Sequence, residues 1–222
     1  ASALQAMTTG TQNTALGANA GYSLTSGGNN VLIGHNTGDG FDTESNNLAV
    51  GNSALGGSIA GGEFNVAIGN NSLDALTSGD ENTAVGYEAG SGITTGNQNV
   101  FIGRYSGRVA TTGGYNTCVG STSGVAMTGA SNNNTLIGVE SGRSLTTGDN
   151  NVALGSESLG GSSGATTESN NVAIGVNSMR SNSLSGAEYN VTVGNNTLDA
   201  LTSGDNNVAV GHNAGTGITT SS

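Results

Sequence analysis

One five-residue pattern returns along the whole chain: an asparagine, an aliphatic residue or threonine, a middle residue, an aliphatic residue and a glycine. Its asparagines are Asn13, Asn30, Asn47, Asn65, Asn82, Asn99, Asn116, Asn134, Asn151, Asn171, Asn190 and Asn207. They stand 17, 17, 18, 17, 17, 17, 18, 17, 20, 19 and 17 residues apart. A period of this kind is the mark of a stacked repeat. It leaves no room for a second fold, so residues 1–222 read as one repeat domain.

Each position has a physical task. Two aliphatic residues separated by one are the period-2 signature of a strand with both side chains on one face. The glycine that follows suits a turn with φ > 0 or a close backbone approach. Three residues later the side chain is always small, as in Ala20, Thr37, Ser72 and Ala214. A third apolar point, such as Leu24, Leu76, Ile93, Leu145 or Leu201, usually precedes a Thr-(Thr/Ser)-Gly turn. Helices are excluded: no segment keeps an i, i+3, i+4, i+7 apolar pattern, and recurring glycine costs about 1 kcal/mol apiece in a helix. The expected fold is all-β, a parallel β-solenoid or β-roll of twelve stacked coils of about 17 residues. At about 4.8 Å per coil it forms a rod on the order of 58 Å long. The twelve asparagines would then stack as an amide ladder, hydrogen-bonded from coil to coil.

The middle residue of each strand points away from its two aliphatic neighbours. Facing water it should be polar, yet it is Ala15, Leu32, Ala49, Ala67, Ala84, Phe101, Cys118, Leu136, Ala153, Ala173, Thr192 and Ala209. A strand apolar on both faces is buried on both. The middle residues are therefore expected outside, where their small size lets a second copy approach, with a homotrimer as the natural closed arrangement.

A longer period overlies the short one. Residues 72–96 and 197–221 agree at 18 of 25 positions, 125 residues apart, and SNNLAVG at 45–51 returns as SNNVAIG at 169–175. Seven coils were thus duplicated as a unit. The chain opens within a repeat and stops where a further asparagine is due, and neither end has the polar cap that solenoids need. The expectation is a fragment, or a unit continued end to end, of a longer fibre.

Composition narrows the function. With 40 glycines, 4% aromatic residues and no proline, the chain resembles neither a globular domain nor a proline-, lysine- and glutamate-rich disordered one. Four basic residues against fifteen acidic ones give a net charge of −11. That balance argues against nucleic acid and anionic membranes as partners and serves solubility. The single cysteine, Cys118, excludes an intrachain disulfide framework, and its repeat position makes it a packing residue. There is no apolar run of transmembrane length and no basic-then-apolar leader, so a secretion signal is expected outside these residues.

NTAVGYEAGSGITTGNQ (Asn82 to Gln98) and NVAIGNNSLDALTSGDE (Asn65 to Glu81) resemble the 17-residue repeats of tail-fibre-type proteins, which often end in an intramolecular chaperone domain. The NVAIG core is also similar to the head β-rolls of trimeric autotransporter adhesins. The resemblance spans the chain, although the adhesin heads use coils of about 14 or 15 residues. It implies a trimeric fibre, extracellular or carried on a virion or cell-surface appendage, that contacts a cell-surface receptor or glycan.

Candidate chemistry is sparse. His35 and His212 follow the motif glycine and read as exposed turn residues. Asp39, Asp42 and Glu44 are a candidate calcium cluster by residue type, without the spacing of a known calcium loop. Asp80, Asp149 and Asp205 share one turn position but lie several coils apart, and read as solvated. No catalytic, cofactor or metal residue is assigned, and the chain is read as a non-enzyme. Two alternatives to the adhesive fibre stand beside it: an ice-binding solenoid using stacked Thr-Thr and Thr-Ser pairs, and a glycan-degrading spike, which needs paired carboxylates in a groove.

Overall fold

The computed structural model describes residues 2–58, 60–161, 166–181 and 184–220. Every element is a three-residue strand: β1 (Thr14–Leu16), β2 (Val31–Ile33), β3 (Leu48–Val50), β4 (Val66–Ile68), β5 (Thr83–Val85), β6 (Val100–Ile102), β7 (Thr117–Val119), β8 (Thr135–Ile137), β9 (Val152–Leu154), β10 (Val172–Ile174), β11 (Val191–Val193) and β12 (Val208–Val210). They form one 12-stranded parallel sheet in strict chain order, a β-solenoid of about eleven turns. Equivalent residues pair throughout, as in Val31↔Leu48, Leu32↔Ala49 and Ile33↔Val50. Coils are numbered here by their strand.

The strand is short because the rest of each coil must turn back over itself. Backbone bonds between coils continue through those turns, for example Gly21 N–H to Thr37 O (2.9 Å), Thr25 N–H to Asp42 O (2.8 Å) and Asn36 N–H to Ala18 O (3.0 Å). The motif glycine ends the strand at φ near +138°, and a Cβ on Gly17 would lie 2.2 Å from the Gly34 carbonyl oxygen. No other residue fits. Two further corners take positive φ without glycine. One is the residue before each ladder asparagine, as at Asn29 (φ 59°); the other lies just before the small residue, as at Asn36 (φ 53°). Asparagine predominates at both because its short amide tolerates this region.

Which strand face lies inside reverses the expectation from sequence. The middle residues point inward: Leu32, Ala49, Ala67, Ala84, Phe101, Cys118, Leu136, Ala153 and Ala173 are fully buried. Their aliphatic neighbours face out, half-buried or exposed. The physical reason is volume. A coil whose middle residue is large carries glycine six residues on, as in Leu32 with Gly38, Phe101 with Gly107, Cys118 with Gly124 and Leu136 with Gly142. A coil whose middle residue is alanine or threonine mostly carries a large apolar group there: Leu55, Leu73, Leu159, Met179 or Leu198, all buried. In coils 1, 5 and 12 both sites are small, and neighbours fill the gap: a Cβ on Gly90 in coil 5 would meet Phe101 at 2.8 Å and Leu73 at 2.9 Å. The interior thus holds roughly one large side chain per coil at this level, at the density that cores require.

The large residues at the second site have positive φ, such as Leu73 (49°) and Leu198 (46°). That conformation costs about 1–2 kcal/mol for a residue with a Cβ, and burying a leucine returns about 1.5–3 kcal/mol. Leu24, Leu76, Ile93, Leu145 and Leu201 complete the core, as the sequence suggested. Phe101 is matched there by the small Ala110. Thr192, the one polar middle residue, joins a buried hydroxyl cluster with Ser178 (2.6 Å), which also contacts Thr197 (2.8 Å).

Candidate functional site

The amide ladder runs unbroken from Asn13 to Asn207. In every step the side-chain oxygen of one asparagine accepts the backbone N–H of the next, at 2.9–3.1 Å. The amide nitrogen donates to a carbonyl in the following coil, as from Asn82 to Gly96 O (2.8 Å) and from Asn190 to Gly204 O (2.9 Å). The ladder members from Asn30 to Asn190 are buried, with Asn13 and Asn207 half-buried at the ends, and stacking satisfies them where water cannot reach. The ladder holds the rod together.

A second ladder was not legible in the sequence. Two residues before the asparagine, a side-chain oxygen accepts the backbone N–H of the preceding coil. Asp80 accepts from Glu63, Asp149 from Asn132 and Asp205 from Glu188, at 2.7–2.8 Å. Asn97, Asn132 and Ser45 do the same for Asp80, Gly114 and Gly28. The aspartates read as solvated therefore hold neighbouring coils together. The signal was their shared register with Asn and Ser, all short acceptors.

The candidate calcium residues do not converge. The Glu44 carboxylate accepts backbone N–H groups from Asp42 (2.6 Å), Thr43 (3.0 Å) and Gly61 (2.9 Å). Asp42 accepts from the Thr25 hydroxyl. Burial raises the Asp39 carboxyl above its ordinary range, with its own backbone N–H and His35 opposing. Among the described residues no group of three or more His, Cys, Asp or Glu is placed to hold a metal. His35 and His212 are exposed, and His35 Nδ1 lies 3.2 Å from the Asn52 amide nitrogen. Cys118 is packed in the core, where burial drives its thiol far above the usual range. The turn threonines spend their hydroxyls on the next coil, as Thr77 to Thr94 O (2.9 Å) and Thr94 to Thr111 O (3.1 Å).

Concavity is slight. A shallow depression lies among Glu140, Arg143, Glu157, Gly160, Gly161 and Arg180. Its carboxylates are paired with arginines, Arg143 to Glu140 (2.9 Å) and Arg180 to Glu157 (2.6 Å). The other two arginines flank Tyr105, with guanidinium carbons 4.3 Å and 4.8 Å from the ring centre, and Arg108 pairs with Glu88 (2.8 Å).

The largest feature is the outer face of the sheet. Two columns run its full length, the first residue of each strand (from Thr14 to Val208) and the third (from Leu16 to Val210). All twenty-four side chains are Val, Ile, Leu or Thr, and none is charged on a chain of net charge −11. Leu16, Ile68, Ile102, Leu154 and Val193 are among the exposed ones. Monomeric proteins rarely expose an apolar surface this continuous.

No family model matches the chain, and searches of the curated proteins and of the solved structures also find no match.

Proposed function

We propose that this chain is a structural segment of an adhesive fibre: a rigid rod that associates with copies of itself, as a homotrimer, through the outer face of its sheet. The observation that carries the reading is that face, two uncharged columns of Val, Ile, Leu and Thr spanning twelve strands. It measures roughly 53 Å by 13 Å, about 700 Å² before its rims are counted; a trimer divides it between two neighbours, about 350 Å² each, so the surfaces flanking the face supply the rest of the roughly 800 Å² per partner of a standard stable interface. A parallel self-pairing face brings like residues together, so any charge on it would meet its own kind; this face has none. The fibre reading places the segment outside the cell, on a virion or a surface appendage, with variable turns presented to a receptor or glycan.

Light scattering on the purified chain tests the assembly. The expected mass is about three times the 21.5 kDa chain. Val85→Asp with Ile102→Asp should return a single-chain mass while the far-ultraviolet β signature persists. A parent protein that runs as a monomer ends the trimer reading. Adhesion is tested separately by retention of the labelled oligomer on glycan arrays and intact cells; retention by neither leaves a rod without an adhesive role.

A further inference from the structure

One column of the rod holds aromatic rings in the open, at a cost to the backbone. The residue before each ladder asparagine lies on one border of the strand face, and in nine coils it is Asn, Gln or Glu. In the other three it is Phe64 (coil 4), Tyr115 (coil 7) and Tyr189 (coil 11), 56–61% exposed at φ 57°, 60° and 58°. A bulky side chain in the left-handed region is an outlier. These rings bury little in return, and strain held at exposed positions points to a task outside the fold. The seven-coil duplication kept the feature. GEFNVAIGNN at 62–71 answers to AEYNVTVGNN at 187–196, so Phe64 and Tyr189 are one repeated position, and both are rings.

A second copy of the chain does not account for them. Copies related by rotation about an axis along the rod meet at the same level. There the residue after the motif glycine, on the opposite border, is Asn70 in coil 4, Ser121 in coil 7 and Asn195 in coil 11. None is apolar, and the Asn70 and Asn195 side-chain oxygens accept the backbone N–H groups of Asn52 and Val176 (both 2.9 Å).

The chemistry of the column fits a sugar chain. An aromatic ring packs against the C–H face of a pyranose, and Asn and Gln amides offer both a donor and an acceptor to its hydroxyls. Glu81 is the column's one charged member, and it accepts from the Gln98 amide (2.6 Å). A chain of net charge −11 repels polyanions, which selects an uncharged ligand. Each coil rises by about 4.8 Å, close to the length of one residue in an extended β-linked glycan, and from coil 4 to coil 11 the rings span about 34 Å. A glycan lying along the column meets the rings three and then four residues apart. The odd step presents opposite sides of a two-fold ribbon, so both sides must be C–H faces. A β-linked glucose chain, with its substituents equatorial, meets that condition.

We infer that this column is a docking track for an extended, uncharged β-linked glucan, with Phe64, Tyr115 and Tyr189 as its stacking platforms. The inference rests on the adhesive part of the proposed function and names the ligand class.

Affinity electrophoresis of the full chain in native gels tests it, with hydroxyethylcellulose as the probe. The parent should be retarded by hydroxyethylcellulose, but neither by dextran, whose α-linked chain is no extended ribbon, nor by heparin, a polyanion. Phe64→Ala with Tyr115→Ala and Tyr189→Ala should weaken the retardation about 10-fold or more, while the mass by light scattering stays that of the parent. Tyr115→Phe with Tyr189→Phe should keep it, because the stacking faces remain. Tyr87→Ala, which removes an exposed ring from the opposite border, should leave it unchanged. An unretarded parent, equal retardation of the triple variant, an equal loss in Tyr87→Ala, or equal retardation by dextran or heparin would each overturn the track. A triple variant that loses the parent's mass would also overturn it, since the rings would then belong to the contact between copies. A parent that passes hydroxyethylcellulose unretarded yet is retained on cells or glycan arrays fails this inference alone; retention by none of them fails the adhesive reading as well.

Discussion

Two corners of the rod carry the same five residues, Thr-Glu-Ser-Asn-Asn, at 43–47 in coil 3 and at 167–171 in coil 10. The duplication placed both glutamates where most coils have glycine, three residues before the ladder asparagine, and both are buried. Their surroundings differ. Glu44 accepts three backbone N–H groups, one of them from Gly61 in the following, 18-residue coil. Glu168 is followed by a 19-residue coil, and among the described residues neither of its oxygens has a hydrogen-bond partner. Burial pushes its carboxyl above the ordinary range, against lowering by the Thr166 hydroxyl and the backbone N–H groups of Glu168, Gly186 and Thr167, which stand near it outside hydrogen-bonding geometry. The residue two before it differs as well: Asp42 accepts from the Thr25 hydroxyl, whereas among the described residues the Thr166 hydroxyl has no partner in hydrogen-bonding geometry. A copied sequence is therefore not a copied environment, because in a stack each side chain is satisfied by the coil next to it.

The largest expected effect lies at the satisfied corner. Glu44→Ala strands three backbone donors and should cost about 3 kcal/mol in denaturant unfolding, since each unsatisfied buried donor costs about 1–3 kcal/mol and water recovers part. A loss under about 1 kcal/mol would erase the contrast between the corners. Glu168→Gln should go the other way, stabilising by about 1 kcal/mol at neutral pH, because it removes a buried charge without a partner.

The same corner sets a pH dependence. The folded Glu168 carboxyl titrates above its unfolded value, so the unfolded chain ionises first as pH rises. Between the two values the native state holds the extra proton, and stability falls with rising pH across that window. Asp39 and Asp74, also raised mainly by burial, act in the same direction. The parent should therefore lose stability from pH 5 to pH 7, with a smaller loss in Glu168→Gln; identical slopes would assign the effect to the aspartates alone. The smallest effect is expected from Thr166→Val, within about 0.5 kcal/mol of the parent, because among the described residues the hydroxyl it removes makes no hydrogen bond of normal geometry.

Much of this was legible in the sequence. The asparagine interval announced the coil, and the ladder followed from stacking identical amides. The motif glycine announced a corner no side chain can occupy. The aspartate ladder was hidden because Asp80, Asp149 and Asp205 are several coils apart, and only the backbone of the preceding coil reveals what each one accepts. The two fates of Glu44 and Glu168 were hidden for the same reason.

The strand faces mark the limit most clearly. Period-2 alternation separates Val31 and Ile33 from Leu32 but does not say which side is interior when both are apolar. That choice depends on the volume available inside a closed coil, shared between the middle residue and the residue six further on. The sequence by itself determined the period, the turns and the stacked asparagines, because these depend on local backbone preference and on repetition. Only the tertiary structure decided that Leu32 and Phe101 go in and the aliphatic columns stay out, because packing volume is a property of neighbouring coils together.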